Sequence, residues 1–168
     1  MQTYTHCSIG AVIGALGFAH EPLSQAACVV GAVAPDLVIA FQYAVDVLRS
    51  RPPLVNQPRW MIVMKEASHS LLLWGAVLLF FRQGVAHAFC VGVVSHILID
   101  GLTHKGVQFT QYDSSLLWPF TRYRLGRLIG LWEYRYGVGV LSPKPFERVV
   151  LIISTLVAVK LFWHQYFF

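Results

Sequence analysis

Residues 85–103 read VAHAFCVGVVSHILIDGLT, a run that is long and apolar enough to cross a bilayer as a helix. Its polar members His96 and Asp100, together with the following His104, are four residues apart, which places them on one helix face about 6 Å apart along the axis. The full span of about 12 Å is too long for one metal. A carboxylate between two histidines can instead offer one oxygen to each of two metals, which lie roughly 3.5–4 Å apart in binuclear hydrolytic sites. The spacing therefore indicates a binuclear site with Asp100 as the bridge.

The composition of the chain predicts an integral membrane protein. Of its 168 residues, 56% are hydrophobic and only 12% are charged, about half the charged fraction of a soluble domain. Residues 60–81 and 149–168 each supply enough apolar residues for about 30 Å of hydrocarbon, and residues 24–48 and 85–103 also qualify by length. Residues 8–18 are apolar but few, which predicts a half-depth helix or one buried against the others.

These segments predict an all-α fold, a polytopic membrane bundle of about five helices that forms one integral membrane domain over residues 1–168. The five segments lie near residues 5–20, 24–48, 60–83, 85–104 and 147–166. The candidate metal-site helices fall within residues 5–104, a basic interfacial loop covers residues 105–146, and a C-terminal membrane helix covers residues 147–166. Pro35 is expected to interrupt the second segment, and such breaks at membrane depth are tolerated where they line a cavity.

The distribution of Lys and Arg predicts the orientation, because these residues gather in cytoplasmic connections. Arg49, Arg51 and Arg59 lie between the second and third segments. Seven more basic residues lie between the fourth and fifth segments: Lys105, Arg122, Arg124, Arg127, Arg135, Lys144 and Arg148. We therefore expect both loops, the N-terminus and the candidate site to face the cytoplasm. The basic loop is then expected to contact anionic phospholipids of the inner leaflet, whereas a nucleic-acid surface is the less favoured interpretation.

Ionisable side chains inside the apolar segments are the main functional signal. Such a group costs several kcal/mol unless it is paired, so each is a functional candidate, although a hydrogen-bonded helix contact is the alternative for any one alone. Asp36 and His69 each lie roughly 15–20 Å from the loop between their segments, so they can meet near mid-depth. With His96 and Asp100 they predict a metal site, since nitrogen and carboxylate ligands suit zinc or manganese. The further candidates are His6, Glu66 and His104, and Glu66 could equally pair with an interfacial arginine.

Five sequence blocks together resemble the membrane-bound metal-dependent hydrolase family. They are Thr5-His6, residues 31–36 (GAVAPD), residues 68–72 (SHSLL), the helix from His96 to Asp100 and residues 117–120 (LWPF). Members of that family are small bacterial integral membrane proteins, distantly similar to zinc-dependent phospholipase C and to zinc-dependent single-strand nucleases. The resemblance covers about residues 5–120 and implies a multi-pass protein of the bacterial inner membrane.

The resemblance also implies a ligand set. Asp36, His69, His96 and Asp100 would form the principal metal site, with His6 and Asp100 sharing a second ion. Two features depart from the family pattern. Met64 and Lys65 stand where many relatives have a His-Arg pair. The His and Glu of the third phospholipase zinc site have no evident counterpart, for which His104 is a partial substitute.

The leading hypothesis is a membrane-embedded hydrolase in which one or two divalent metals activate a water, with Asp36 or Glu66 as the general base. The resemblance implies a phosphoester of a lipid or lipid-linked molecule as the substrate. An alternative is a non-enzymatic protein in which the same ligands hold a structural or transported metal, since a structural zinc site is closed and a catalytic one keeps a position for water. A third hypothesis is a membrane anchor that binds a partner through residues 122–135, with binding that falls with salt.

Overall fold

The structure is a computed structural model that describes residues 3–50, 58–105, 118–119, 132–133 and 145–167. Within these ranges six helices follow one another: α1 (Thr3–Gly17), α2 (Pro22–Leu48), α3 (Arg59–Ser68), α4 (Leu71–Phe80), α5 (Gly84–Thr103) and α6 (Pro145–Phe167). Two short strands, β1 (His104–Lys105) and β2 (Trp132–Glu133), pair in parallel. The prediction of an all-α membrane bundle is confirmed. Most of the basic loop predicted over residues 105–146 lies outside the described residues.

In the part of the chain that the structure describes, three helices are long and apolar enough to cross a membrane: α2, α5 over Gly84–Gly101 and α6 over Glu147–Phe167. Helices α3 and α4 together would form a fourth span, bent by 57° at their junction. Helix α1 has 15 residues, which is about 22 Å and too short to cross about 30 Å of hydrocarbon. It packs against α2, α5 and α6, in keeping with the expectation of a short helix buried against the others.

Three details of the predicted segments were wrong. Residues 60–83 do not form one helix, because the backbone of Ser70 is extended and its hydroxyl accepts a hydrogen bond from the Leu73 N–H, which starts a new helix. The expected interruption at Pro35 is absent, since α2 continues through it; membrane helices tolerate proline where neighbouring groups satisfy the freed backbone. Helix α5 ends at Thr103, so His104 lies in β1 and is not on the helical face of His96 and Asp100.

Glycines allow α2 and α5 to cross with their backbones in direct contact. A Cβ at Gly92 would lie 2.1 Å from the carbonyl oxygen of Cys28, and a Cβ at Gly31 would lie 2.1 Å from that of Phe89. Small residues promote close packing of membrane helices in this way, because lipid provides no hydrophobic force between them. The close approach brings the side chain of His96 within reach of the α2 backbone.

Polar side chains join α6 to α1 and α2. The hydroxyls of Ser8 and Ser154 lie 2.6 Å apart, and the Gln165 side chain donates to the Ala15 carbonyl at 2.5 Å. Gln25 of α2 donates to the same Gln165 at 2.9 Å. Interhelical hydrogen bonds of this kind stabilise membrane helix pairs. Hydrogen bonds therefore connect α6 to both α1 and α2.

Candidate metal centre

Four side chains from three parts of the bundle converge near the middle of α2. Asp36 comes from α2, His69 from the break between α3 and α4, and His96 and Asp100 from α5. One potential ligand atom from each of the four lies within 4.8 Å of those of the others. The structure thus brings together the four residues that the sequence singled out as a metal site, while their role as ligands stays a prediction.

The ring of His96 is oriented by the backbone of α2. Its Nδ1 lies 2.7 Å from the Ala32 carbonyl oxygen, a bond in which Nδ1–H donates. That bond leaves the Nε2 lone pair to act as a ligand, as is usual for metal-binding histidines. Nε2 lies 3.2 Å from Asp100 Oδ2 and 3.7 Å from Asp36 Oδ1. His96 is fully buried, and among the described residues its Nε2 makes no hydrogen bond.

The ring of His69 is oriented in the same way by the last turn of α3. Its Nδ1 lies 3.1 Å from the Lys65 carbonyl oxygen, so Nδ1–H donates to that oxygen and Nε2 carries the lone pair. The Ser68 hydroxyl donates to the same carbonyl at 2.9 Å. The buried His69 ring meets that of His96 edge to face, with ring centroids 5.4 Å apart. Two imidazoles are therefore fixed by backbone carbonyls before any ion binds.

The two carboxylates form the more open side of the cluster. Asp100 directs Oδ1 toward His6 Nε2, at 2.9 Å, and Oδ2 toward His96 Nε2, at 3.2 Å. Asp36 accepts a hydrogen bond from the Thr3 hydroxyl on Oδ2, at 2.6 Å, which leaves Oδ1 for the cluster. The side chains of Asp36 and Asp100 are 17% and 13% exposed, whereas those of His6 and His96 are fully buried. A small molecule would reach the cluster from the carboxylate side.

His6 places a third imidazole beside the four. Its ring stacks on that of His96, with centroids 3.9 Å apart. Although His6 Nε2 lies 2.9 Å from Asp100 Oδ1, neither of its ring nitrogens makes a hydrogen bond with a described residue. Asp100 therefore has one oxygen near each of two histidines, and could hold an ion together with either of them.

Two distances within the cluster and its charge fit a divalent cation. Two ligand atoms about 2.1 Å from a tetrahedral ion lie about 3.4 Å apart, close to the 3.2 and 3.7 Å that separate His96 Nε2 from the two carboxylates. Two carboxylates with neutral imidazoles carry two negative charges, which one divalent ion would neutralise. The alternative for the empty cluster is an ion pair of a protonated His96 with Asp100, whose Oδ2 lies 3.2 Å from Nε2. The donor set suits zinc or manganese.

The remaining predicted residues lie apart from the cluster or outside the description. Glu66 lies on α3 three residues before His69, is half-buried and does not belong to the group of converging ligand atoms. The side chain of His104 is outside the described part of the structure. Sequence reasoning overlooked Thr3, whose hydroxyl donates a hydrogen bond to Asp36. Thr3 shares a helix face with His6 three residues later, and that spacing could have identified it.

Comparison with known protein families identifies the family of this chain. The model of the family described as "YdjM inner membrane protein" matches residues 1–167. The chain belongs to this family. No curated protein and no solved structure shows a significant match. The YdjM description agrees with the candidate membrane spans and with a location in the inner membrane, in contact with the lipid bilayer.

Proposed function

We propose that this YdjM-family protein is a membrane-embedded, metal-dependent hydrolase that cleaves a phosphoester of a lipid or lipid-linked substrate with a metal-activated water. The observation that carries the proposal is the convergence of Asp36, His69, His96 and Asp100, with both histidines held by backbone carbonyls. Buried ionisable groups inside a membrane are costly and mark functional sites. The similarity of five sequence blocks to the membrane-bound metal-dependent hydrolases supports the same interpretation.

The chain's own residues have distinct parts in this proposal. His69, His96, Asp36 and Asp100 would hold the principal ion, and Asp100 would share a second ion with His6. A divalent metal lowers the pKa of a bound water to about 7 and polarises a phosphoryl oxygen. Asp36 is the favoured general base, because its Oδ1 lies 3.7 Å from His96 Nε2, farther than the 3.2 Å of Asp100 Oδ2, and the Thr3 hydroxyl keeps it oriented. Glu66 is the second candidate for that role.

The more open carboxylate side of the cluster supports a substrate that arrives from the membrane. Exposed apolar side chains on α2 and α3 include Leu37, Phe41 and Met64. An amphiphile could place its apolar part along these side chains and its polar group at the carboxylates. With the basic loops toward the cytoplasm, the substrate would come from the inner leaflet.

A structural or transported metal is the second candidate function, and one observation favours it. The cluster offers four protein ligands, the number found in closed structural zinc sites, whereas catalytic zinc sites have three protein ligands and a water. The visible absorption spectrum of the Co²⁺-substituted protein distinguishes the two, because it reports the coordination number and a change on adding an anion such as phosphate. A spectrum that is insensitive to phosphate would favour the closed site.

The direct test is phosphodiester hydrolysis by the purified protein. The protein is reconstituted in vesicles of mixed zwitterionic and anionic phospholipids, supplied with Zn²⁺ or Mn²⁺, and assayed with a chromogenic phosphodiester and with the vesicle lipids. We expect turnover that a chelator abolishes and that Asp100→Ala lacks. Asp46→Asn is the matched control, since Asp46 is a buried carboxylate of α2 that accepts from Gln42 outside the cluster. Absence of turnover with every divalent ion, or full turnover by Asp100→Ala, would refute the proposal.

A further inference from the structure

One buried hydroxyl holds the break between α3 and α4. Ser70 is fully buried. Its Oγ accepts from the Leu73 N–H at 3.1 Å, which caps α4, and donates to the carbonyl oxygen of Trp118 at 2.7 Å. A single atom therefore starts a helix and ties that point to a chain segment 48 residues away.

The same break sets the position of a predicted metal ligand. His69 directly precedes Ser70 and follows the last residue of α3, and the two helices diverge there by 57°. A continuous helix would require Ser70 to leave its extended conformation, which would reorient the residues around His69 relative to α5. The bond to Lys65 fixes the ring of His69 against α3, while the hydroxyl of Ser70 fixes where α3 ends.

We propose that Ser70 is a positioning residue of the metal centre. Its hydrogen bond to the Trp118 carbonyl holds the break between α3 and α4 in the geometry that lets His69 act as a ligand. The inference rests on the metal-binding part of the proposed function and does not depend on the reaction. Ser70 touches no member of the cluster through its hydroxyl, so it acts through His69. Groups that orient metal ligands typically contribute 10–100-fold to metal affinity.

The arrangement also couples the metal to the Trp118 segment. If the Ser70–Trp118 bond favours the metal-binding geometry, then metal binding must favour that bond by the same factor. Trp118 is thereby linked to the metal site through Ser70 and the adjacent His69, although Trp118 itself is not a ligand. This coupling distinguishes Ser70 from an ordinary helix cap, which would stabilise α4 alone.

The test compares Zn²⁺ affinity, by chelator competition, and the Co²⁺ absorption spectrum among variants of the full-length protein in detergent. We expect Ser70→Ala to bind Zn²⁺ 10–100-fold more weakly with an altered Co²⁺ spectrum, and Ser70→Thr, which keeps the hydroxyl, to restore both. Ser95→Ala is the matched control. Ser95 also precedes a cluster histidine, but it lies within a continuous helix and donates only to the Gly92 carbonyl, so its loss should leave both measurements unchanged.

The outcomes separate a positioning role from a structural one. If Ser70→Ala lowers the melting temperature but keeps wild-type Zn²⁺ affinity and Co²⁺ spectrum, Ser70 is a helix cap only and the inference is wrong. If Ser70→Ala aggregates, Ser70→Gly replaces it, because glycine is tolerated at a helix N-cap at a cost of only a few tenths of a kcal/mol. A wild-type protein that binds no metal would instead overturn the proposed function, and this inference with it.

Discussion

The substitution Gly92→Ala should weaken metal binding without changing any of the predicted ligand residues. A Cβ at this position would lie 2.1 Å from the Cys28 carbonyl oxygen and 2.8 Å from the Ala32 nitrogen. Real Cβ atoms essentially never come within 3.0 Å of such atoms, so α2 and α5 must separate by about 0.9 Å or more. Both contacts of His96 with α2 cross this interface.

The separation is large enough to break both contacts. The hydrogen bond from His96 to Ala32, now 2.7 Å, would lengthen beyond the range of a hydrogen bond, leaving a buried donor unsatisfied at a cost of about 1–3 kcal/mol. The distance from His96 Nε2 to Asp36, now 3.7 Å, would exceed what one ion can bridge. We expect Zn²⁺ affinity to fall at least about 100-fold, or about 2.7 kcal/mol.

The assay is Zn²⁺ titration of the detergent-solubilised protein together with its thermal unfolding. Gly75→Ala on α4 is the control, because a Cβ there would meet no described residue outside its own stretch of helix within 4 Å. Replacing a helical glycine by alanine adds up to about 1 kcal/mol of helix stability, so the control should be neutral or more stable, and Gly92→Ala less stable. Wild-type affinity in Gly92→Ala would refute the claim that the α2–α5 contact sets the site.

Three further predictions concern other parts of the molecule. Thr3→Val should weaken Zn²⁺ binding about 10-fold with little change in melting temperature, because it releases Asp36 from an exposed hydrogen bond; unchanged affinity in chelator competition would argue against that role. Ser154→Ala should lower the stability of the α1–α6 pair by about 0.6 kcal/mol in thermal unfolding and leave Zn²⁺ affinity unchanged, since it removes one interhelical contact; a loss of metal would contradict this separation. A cysteine replacing Arg122 should react with a membrane-impermeant maleimide in inside-out vesicles only, above the background of native cysteines, and labelling of right-side-out vesicles would reverse the predicted orientation.

Local spacing predicted the parts of the site that lie on one continuous helix. His96 and Asp100 are four residues apart, and their side chains meet at 3.2 Å as the helical period requires. The distance of each residue from the loop between its segments also predicted that Asp36 and His69 lie at a similar depth. These predictions needed only the rise per residue and the loop positions.

The structural features that the sequence did not predict depend on contacts between residues far apart in the chain. The apolar run from residue 60 to 83 contains no strong helix breaker at His69, and the break there is held by Ser70 through the distant Trp118 carbonyl. Pro35, the stronger local signal, does not end α2. The proximity of α2 and α5 depends on glycines whose packing partners cannot be assigned from their spacing.

The most direct measurement is the metal content of the purified protein, by elemental analysis, beside that of a double variant in which Asp36 and His96 are both alanine. The protein is purified without chelators, and a second sample is stripped and reloaded with Zn²⁺ or Mn²⁺. We expect one or two equivalents of a divalent metal in the wild type and a marked loss in the double variant at similar yield and helical content. A wild-type protein that stays metal-free after reloading, or a double variant that keeps the full content, would contradict a metal centre at Asp36, His69, His96 and Asp100.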